Sequence, residues 1–129
     1  MVAASKRGEL KIDVVAYPDI IGSAAVIKPP LYSRSYSHHF RVGGAKLNLD
    51  GSPQGRTAWL TKPFFKVPPG HKPDYLGYPA MSDAQADAYV DKAFAKGWQI
   101  LTHVSGDADR KSTRLNSSHG GISRMPSSA

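Results

Sequence analysis

Gly44-Ala45-Lys46-Leu47-Asn48-Leu49-Asp50-Gly51-Ser52 and the later run Trp98-Gln99-Ile100-Leu101-Thr102-His103 decide how this chain folds. In the first, Leu47 and Leu49 alternate with Lys46, Asn48 and Asp50. That period of two puts apolar side chains on one face of a strand and polar ones on the other. The second is a short apolar run directly after Gly97, and reads as another strand. Between them, Ser82-Asp83-Ala84-Gln85 has the form of an N-terminal capping box. Ala86, Tyr89, Val90, Ala93 and Phe94 then recur at helical spacing up to Gly97, a suitable residue to follow a helix end. Strand, loop, helix and strand form a βαβ unit, which implies a parallel sheet and an α/β fold.

Toward the amino terminus, Leu10-Lys11-Ile12-Asp13-Val14-Val15-Ala16-Tyr17-Pro18 reads as a further strand, closed by its proline. Its near-continuous apolarity suits a buried parallel strand. Ala24-Ala25-Val26-Ile27 suggests a short helical piece that Pro29-Pro30 must end, leaving a loop. Residues 61–79 hold Pro63, Pro68, Pro69, Pro73 and Pro79 among Phe64, Phe65, Tyr75 and Tyr78. That composition forbids long regular elements and points to a packed surface loop of the kind that borders active sites.

Composition sets bounds. The 129 residues, 40% hydrophobic and 21% charged, fit one ordinary globular domain. The absence of cysteine excludes disulfide scaffolds, thiolate-bound zinc and thiol nucleophiles, so a metal would need His, carboxylate or modified Lys ligands. No apolar run reaches the roughly 18 residues of a membrane span, and Met1–Arg7 lacks the apolar stretch of a secretory signal, so the expectation is a soluble, cytoplasmic protein. The net charge of +7 raises the alternative of a small basic protein that binds nucleic acid.

The tail weakens that alternative. From Asp109 the chain is Ser-rich and basic, without apolar periodicity. Asp109-Arg110-Lys111-Ser112-Thr113-Arg114-Leu115-Asn116-Ser117-Ser118-His119 resembles, codon by codon, the translation of a widely used short-read sequencing adapter. Ser123-Arg124-Met125-Pro126-Ser127-Ser128-Ala129 resembles its continuation after a short index. The expected organisation is therefore residues 1–108 as partial domain and 109–129 as an adapter-derived, disordered tail. Without Arg110, Lys111, Arg114, Arg124 and Asp109, the net charge falls to +4. A mis-assembled reading frame with no biological role is a further alternative.

Candidate chemistry gathers at strand ends. His103 closes the last strand in His103-Val104-Ser105-Gly106-Asp107, and the C-terminal ends of parallel strands are where α/β enzymes place catalytic groups. A neutral imidazole there is either a metal ligand or a hydrogen-bonded strand cap. Lys46 either reaches solvent or, if desolvated, is more readily the neutral amine that can take up carbon dioxide. Asp50-Gly51 is ordinarily a turn, and Arg56 either binds an anionic group or is solvated. His38-His39 would point to opposite faces of a strand, and with His71 of the proline-rich loop they read as structural or solvated.

Taken together, Gly44–Ala58 and Ile100–Ala108 resemble the central segment of amidohydrolase family 3, nearest to the N-substituted formamide deformylases. The resemblance covers most of residues 8–108. It implies a fragment of a (β/α)8 TIM-type metal-dependent hydrolase barrel, about strands 3–5, from an enzyme that hydrolyses an amide or formamide C–N bond with metal-activated water. By that likeness Lys46 matches the fourth-strand lysine that can be carboxylated to bridge metals, and His103 the fifth-strand metal ligand. Asp107 is a catalytic candidate supporting the site from the following turn, and Arg56 a substrate-binding candidate. The implied cofactor is a divalent metal, Zn2+ in one or two copies, and the implied partner a small amide-type molecule, with neither nucleic acid nor membrane. The family's first-strand His-x-His pair, sixth-strand histidine and eighth-strand aspartate have no counterpart here, so the chain itself is expected to be inactive.

Overall fold

The computed structural model describes residues 1–108; the expected adapter-derived tail, 109–129, lies outside the described residues. The described residues divide into two compact units, Met1–Asn48 with Ala84–His103, and Leu49–Asp83 with residues 104–108.

The first unit carries the regular elements: α1 (Val2–Lys6), β1 (Val14–Ala16), a 3-10 turn at Ala24–Val26, β2 (Phe40–Val42), β3 (Ala45–Asn48), α2 (Asp83–Ala95, its first residue in the other unit) and β4 (Ile100–His103). The pairings are parallel, β1 with β2 and β3 with β4. An isolated parallel bridge between Asp19 and Lys46 extends the β1 side onto β3. Ala16 pairs with Val42 but Asp19 with Lys46, so one extra residue is accommodated at Gly43-Gly44. A Cβ on Gly44 would lie 2.0 Å from the Gln99 carbonyl oxygen, the same oxygen that accepts from Ala45 N at 2.7 Å. Glycine is thus what lets β3 approach β4 at its first rung.

Alternation holds along β3, with Ala45 and Leu47 fully buried, Lys46 half-buried and Asn48 exposed. Ile20, Ile27, Phe40, Val42, Ala86 and Ala93 complete the core of this unit. The β1 strand is shorter than expected and half-buried throughout. The short helix α1 is not legible in the sequence pattern. Its Ser5 hydroxyl donates to the carbonyls of Ser37 at 3.2 Å and His38 at 2.9 Å, fixing it to a turn where His38 and His39 take positive φ. Helix α2 ends as expected, with Gly97 at φ +63°. Of its five expected core positions Ala86 and Ala93 are buried, whereas Phe94 is 74% exposed.

The second unit has no helix or strand of its own among the described residues. Leu60 N donates to Leu76 O at 2.8 Å and Phe64 N to Tyr75 O at 3.1 Å, folding the proline-rich loop back on itself. Phe64 stacks on Tyr75 at 5.9 Å between ring centroids. Leu49 accepts from Ala80 N at 2.7 Å, which anchors the loop's return.

Candidate functional site

Lys46 and His103 come together in the first unit. Asn48 pairs with His103 and Lys46 with Leu101, so in a parallel ladder Lys46, Asn48, Leu101 and His103 share one face. That face lies opposite Ala45 and Leu47, which are packed in the core. One strand across and two residues along puts the Lys46 and His103 Cα atoms about 8 Å apart, from strand spacing and rise. Both side chains are half-buried, and His103 is the last residue of β4. Its backbone neighbours hold Lys46 firmly: Lys46 N donates to Pro18 O at 2.8 Å, and Lys46 O accepts from Ile20 N at 2.9 Å.

These two residues fit a divalent cation as two members of a donor set. Imidazole supplies a neutral nitrogen, and a carboxylated lysine would supply oxygens. No group of three or more His, Cys, Asp or Glu residues able to hold a metal occurs among the described residues.

Asp107 and Arg56 stand in the second unit. Asp107 is exposed and accepts from Thr61 N at 2.8 Å and from the Thr61 hydroxyl. The hydroxyl first, then the amide, hold its carboxyl below the usual aspartate range. Arg56 is half-buried at φ +54°; its guanidinium donates to Val67 O at 3.4 Å and its carbonyl accepts from the Tyr75 hydroxyl at 2.9 Å. His39 pairs with Asp13 at 2.8 Å and His71 rests against Tyr75, both exposed, so each has the structural or solvated role anticipated for it.

Asp50 is the residue that sequence reasoning missed. Alternation grouped it with Lys46 and Asn48, but β3 ends at Asn48 and Asp50 is only 5% exposed. Its Oδ1 accepts from Ser105 N at 2.8 Å, and its Oδ2 from Gly106 N at 2.6 Å and Trp59 N at 3.1 Å. A carboxylate buried away from water needs such donors. Thr61 bonds to Asp107 just beyond Trp59, so one carboxylate after β3 and one after β4 hold the loops of this unit. The sequence signal was the Asp50-Gly51 turn directly after Leu49, which names a bend and not the partners of its carboxylate.

The strands pair in parallel and present Lys46 and His103 on one face, and α/β sheets of this kind carry ligands at the carboxyl ends of their strands. The sequence model of the amidohydrolase family matches residues 1–117, and this chain belongs to that family. The match runs past Ala108, where the adapter-like tail begins. The chain is similar to the crystal structure of an uncharacterized metal-dependent hydrolase from Pyrococcus horikoshii OT3, at 26% identity and a TM-score of 0.66, over 87% of this chain and 22% of that one. It shares its fold with an uncharacterized metal-dependent hydrolase from Pyrococcus furiosus, at 24% identity and a TM-score of 0.67, over 87% of this chain and 23% of that one. This chain thus spans less than a quarter of the length of either solved structure. No curated protein matches it. Among the described residues no helix is long and apolar enough to cross a membrane.

Proposed function

We propose that this chain is a segment of a metal-dependent amidohydrolase that cleaves an amide- or formamide-type C–N bond, and that Lys46 and His103 contribute to its metal site within a (β/α)8 barrel. The observation that carries this is the shared face of Lys46 and His103 on neighbouring parallel strands. The family membership and the metal-dependent Pyrococcus horikoshii relative support it. A divalent ion, zinc by the chemistry of a nitrogen and oxygen donor set, would supply Lewis acidity toward a carbonyl and an acidified water. His103 would donate a ring nitrogen, and Lys46, as its carbamate, an oxygen. Asp107 would position the turn after β4, and Arg56 would take an anionic group of the substrate. With two donors from this chain, the segment alone would bind metal weakly and lack hydrolase activity.

The test is calorimetric and spectroscopic titration of the full chain with Zn2+ and Co2+ in bicarbonate buffer. His103→Ala and Lys46→Met should each weaken binding at least tenfold, in the range typical for losing a group of a metal site. Binding that both variants leave unchanged overturns the assignment.

A further inference from the structure

The other end of β4 carries a feature that the metal reading leaves unused. Lys28, Lys92 and Lys96 line a concave surface of about 610 Å³, together with Ile27, Tyr32 and Trp98. Trp98 precedes the first residue of β4, whereas His103 is its last, so this concavity and the metal ligand lie at opposite strand ends. The walls come from different elements. Lys92 stands in the last turn of α2, and Lys96, one residue past its end, donates its amide to Lys92 O at 3.1 Å. Lys28 and Tyr32 come from the segment after the 3-10 turn. The Tyr32 hydroxyl donates to Gly97 O at 2.8 Å, joining that segment to the α2–β4 connection, and Ile27 is 2% exposed.

Cations at a helix C-terminus complement its dipole, which accounts for Lys92 and Lys96. It does not account for Lys28, nor for aromatic side chains in the same hollow. The three lysines are exposed, and among the described residues no carboxylate lines the concavity beside them. Three like charges around one concavity repel each other, and a bound anion relieves that repulsion. The volume falls in the range of small-molecule sites, about 300–1,000 Å³.

We propose that this hollow binds a small phosphorylated ligand with a flat ring, of nucleotide size. The ammonium groups of Lys28, Lys92 and Lys96 take its phosphate oxygens, and Trp98 with Tyr32 provides the aromatic wall for its ring.

The probe is ATP, with ring-free inorganic triphosphate as its comparison, titrated into the full chain by calorimetry. Trp59 and Trp98 are the two tryptophans, so Trp98 fluorescence in a Trp59→Phe background reports the hollow directly. ATP should bind saturably and perturb Trp98. The paired change Lys92→Gln/Lys96→Gln, and Lys28→Gln alone, should each weaken it at least tenfold, with unchanged circular dichroism. Lys62→Gln/Lys66→Gln, in the second unit, should leave it unchanged. Triphosphate should bind more weakly than ATP, and added salt should weaken both. The proposal is overturned by a lack of saturation up to about 10 mM, a regime of negligible affinity. Equal affinity in the lysine variants, or triphosphate binding as tightly as ATP, also overturns it.

Discussion

Replacing Asp50 with alanine removes the acceptor on which three backbone amides converge, those of Ser105, Gly106 and Trp59. Hydrogen bonds to a charged acceptor contribute about 1.5–3 kcal/mol each, and they are not additive when one carboxylate serves all three. The carboxylate is 5% exposed, so solvent replaces it poorly. Each buried amide left without an acceptor costs about 1–3 kcal/mol, so the expected loss for the three together is about 3–5 kcal/mol. Asparagine keeps one acceptor oxygen but turns an NH2 group toward amide donors, so Asp50→Asn should cost about 2–3 kcal/mol through one unsatisfied contact. Urea denaturation reads the total: with a slope of about 1–3 kcal/mol/M, the alanine midpoint should fall by more than about 1 M. Amide hydrogen exchange locates it, because protection of Ser105 and Gly106 should fall by about a hundredfold or more at tenfold per 1.4 kcal/mol. A midpoint unchanged in Asp50→Ala, with both amides exchanging as in the parent, refutes the reasoning.

Gly44→Ala should cost on the order of 3 kcal/mol, the upper range for overpacking, because its Cβ meets the Gln99 carbonyl and must break the first β3–β4 rung. Thermal unfolding checks the cost, and exchange at the Ala45 amide its location. Thr61→Val should raise the Asp107 pKa toward the ordinary range, since the hydroxyl is the largest cause of its depression. A depressed carboxylate contributes stability above its unfolded pKa and loses it as pH falls through its folded pKa. The Thr61–Asp107 contact should therefore open at higher pH in the variant, as followed by carboxyl-carbon NMR on acidification.

The parts of the fold that repeat locally were legible. Leu47 on the buried face of β3, the 83–95 helix, its Gly97 stop and β4 all follow from periodicity and end signals, whereas Leu49, though buried, lies beyond the end of the strand. His103 was legible as the last residue of a strand and Lys46 as a residue within one, but their shared face required the register, which depends on pairing across more than fifty residues. Asp50-Gly51 was legible as a turn, and β3 does end before it, but the role of the Asp50 carboxylate was not, because its partners at 105 and 106 are remote. Phe94 follows helical spacing yet is exposed, because periodicity names a face without naming what packs on it. Helix α1 has no apolar stripe at all and is held by one serine hydroxyl, a contact that no local pattern encodes.

The role of Lys46 turns on its chemical form, and that can be measured directly. As an ordinary strand lysine it is an ammonium whose four-carbon stem reaches past the sheet to water. As a metal bridge it must be a carbamate: its amine loses a proton, the nitrogen lone pair forms a bond to the carbon of carbon dioxide, and a second proton leaves the nitrogen. Higher pH at fixed dissolved carbon dioxide therefore favours the carbamate, and a cation held by the imidazole of His103 favours it further by neutralising the new charge. With 13C-labelled bicarbonate, a carbamate carbon resonance should grow with pH, strengthen on Zn2+ addition, and vanish in Lys46→Met. His103→Ala should abolish the Zn2+ enhancement and leave the metal-free signal. If Zn2+ strengthens the signal equally in His103→Ala, the two residues do not share an ion, and the face they have in common reflects strand register alone.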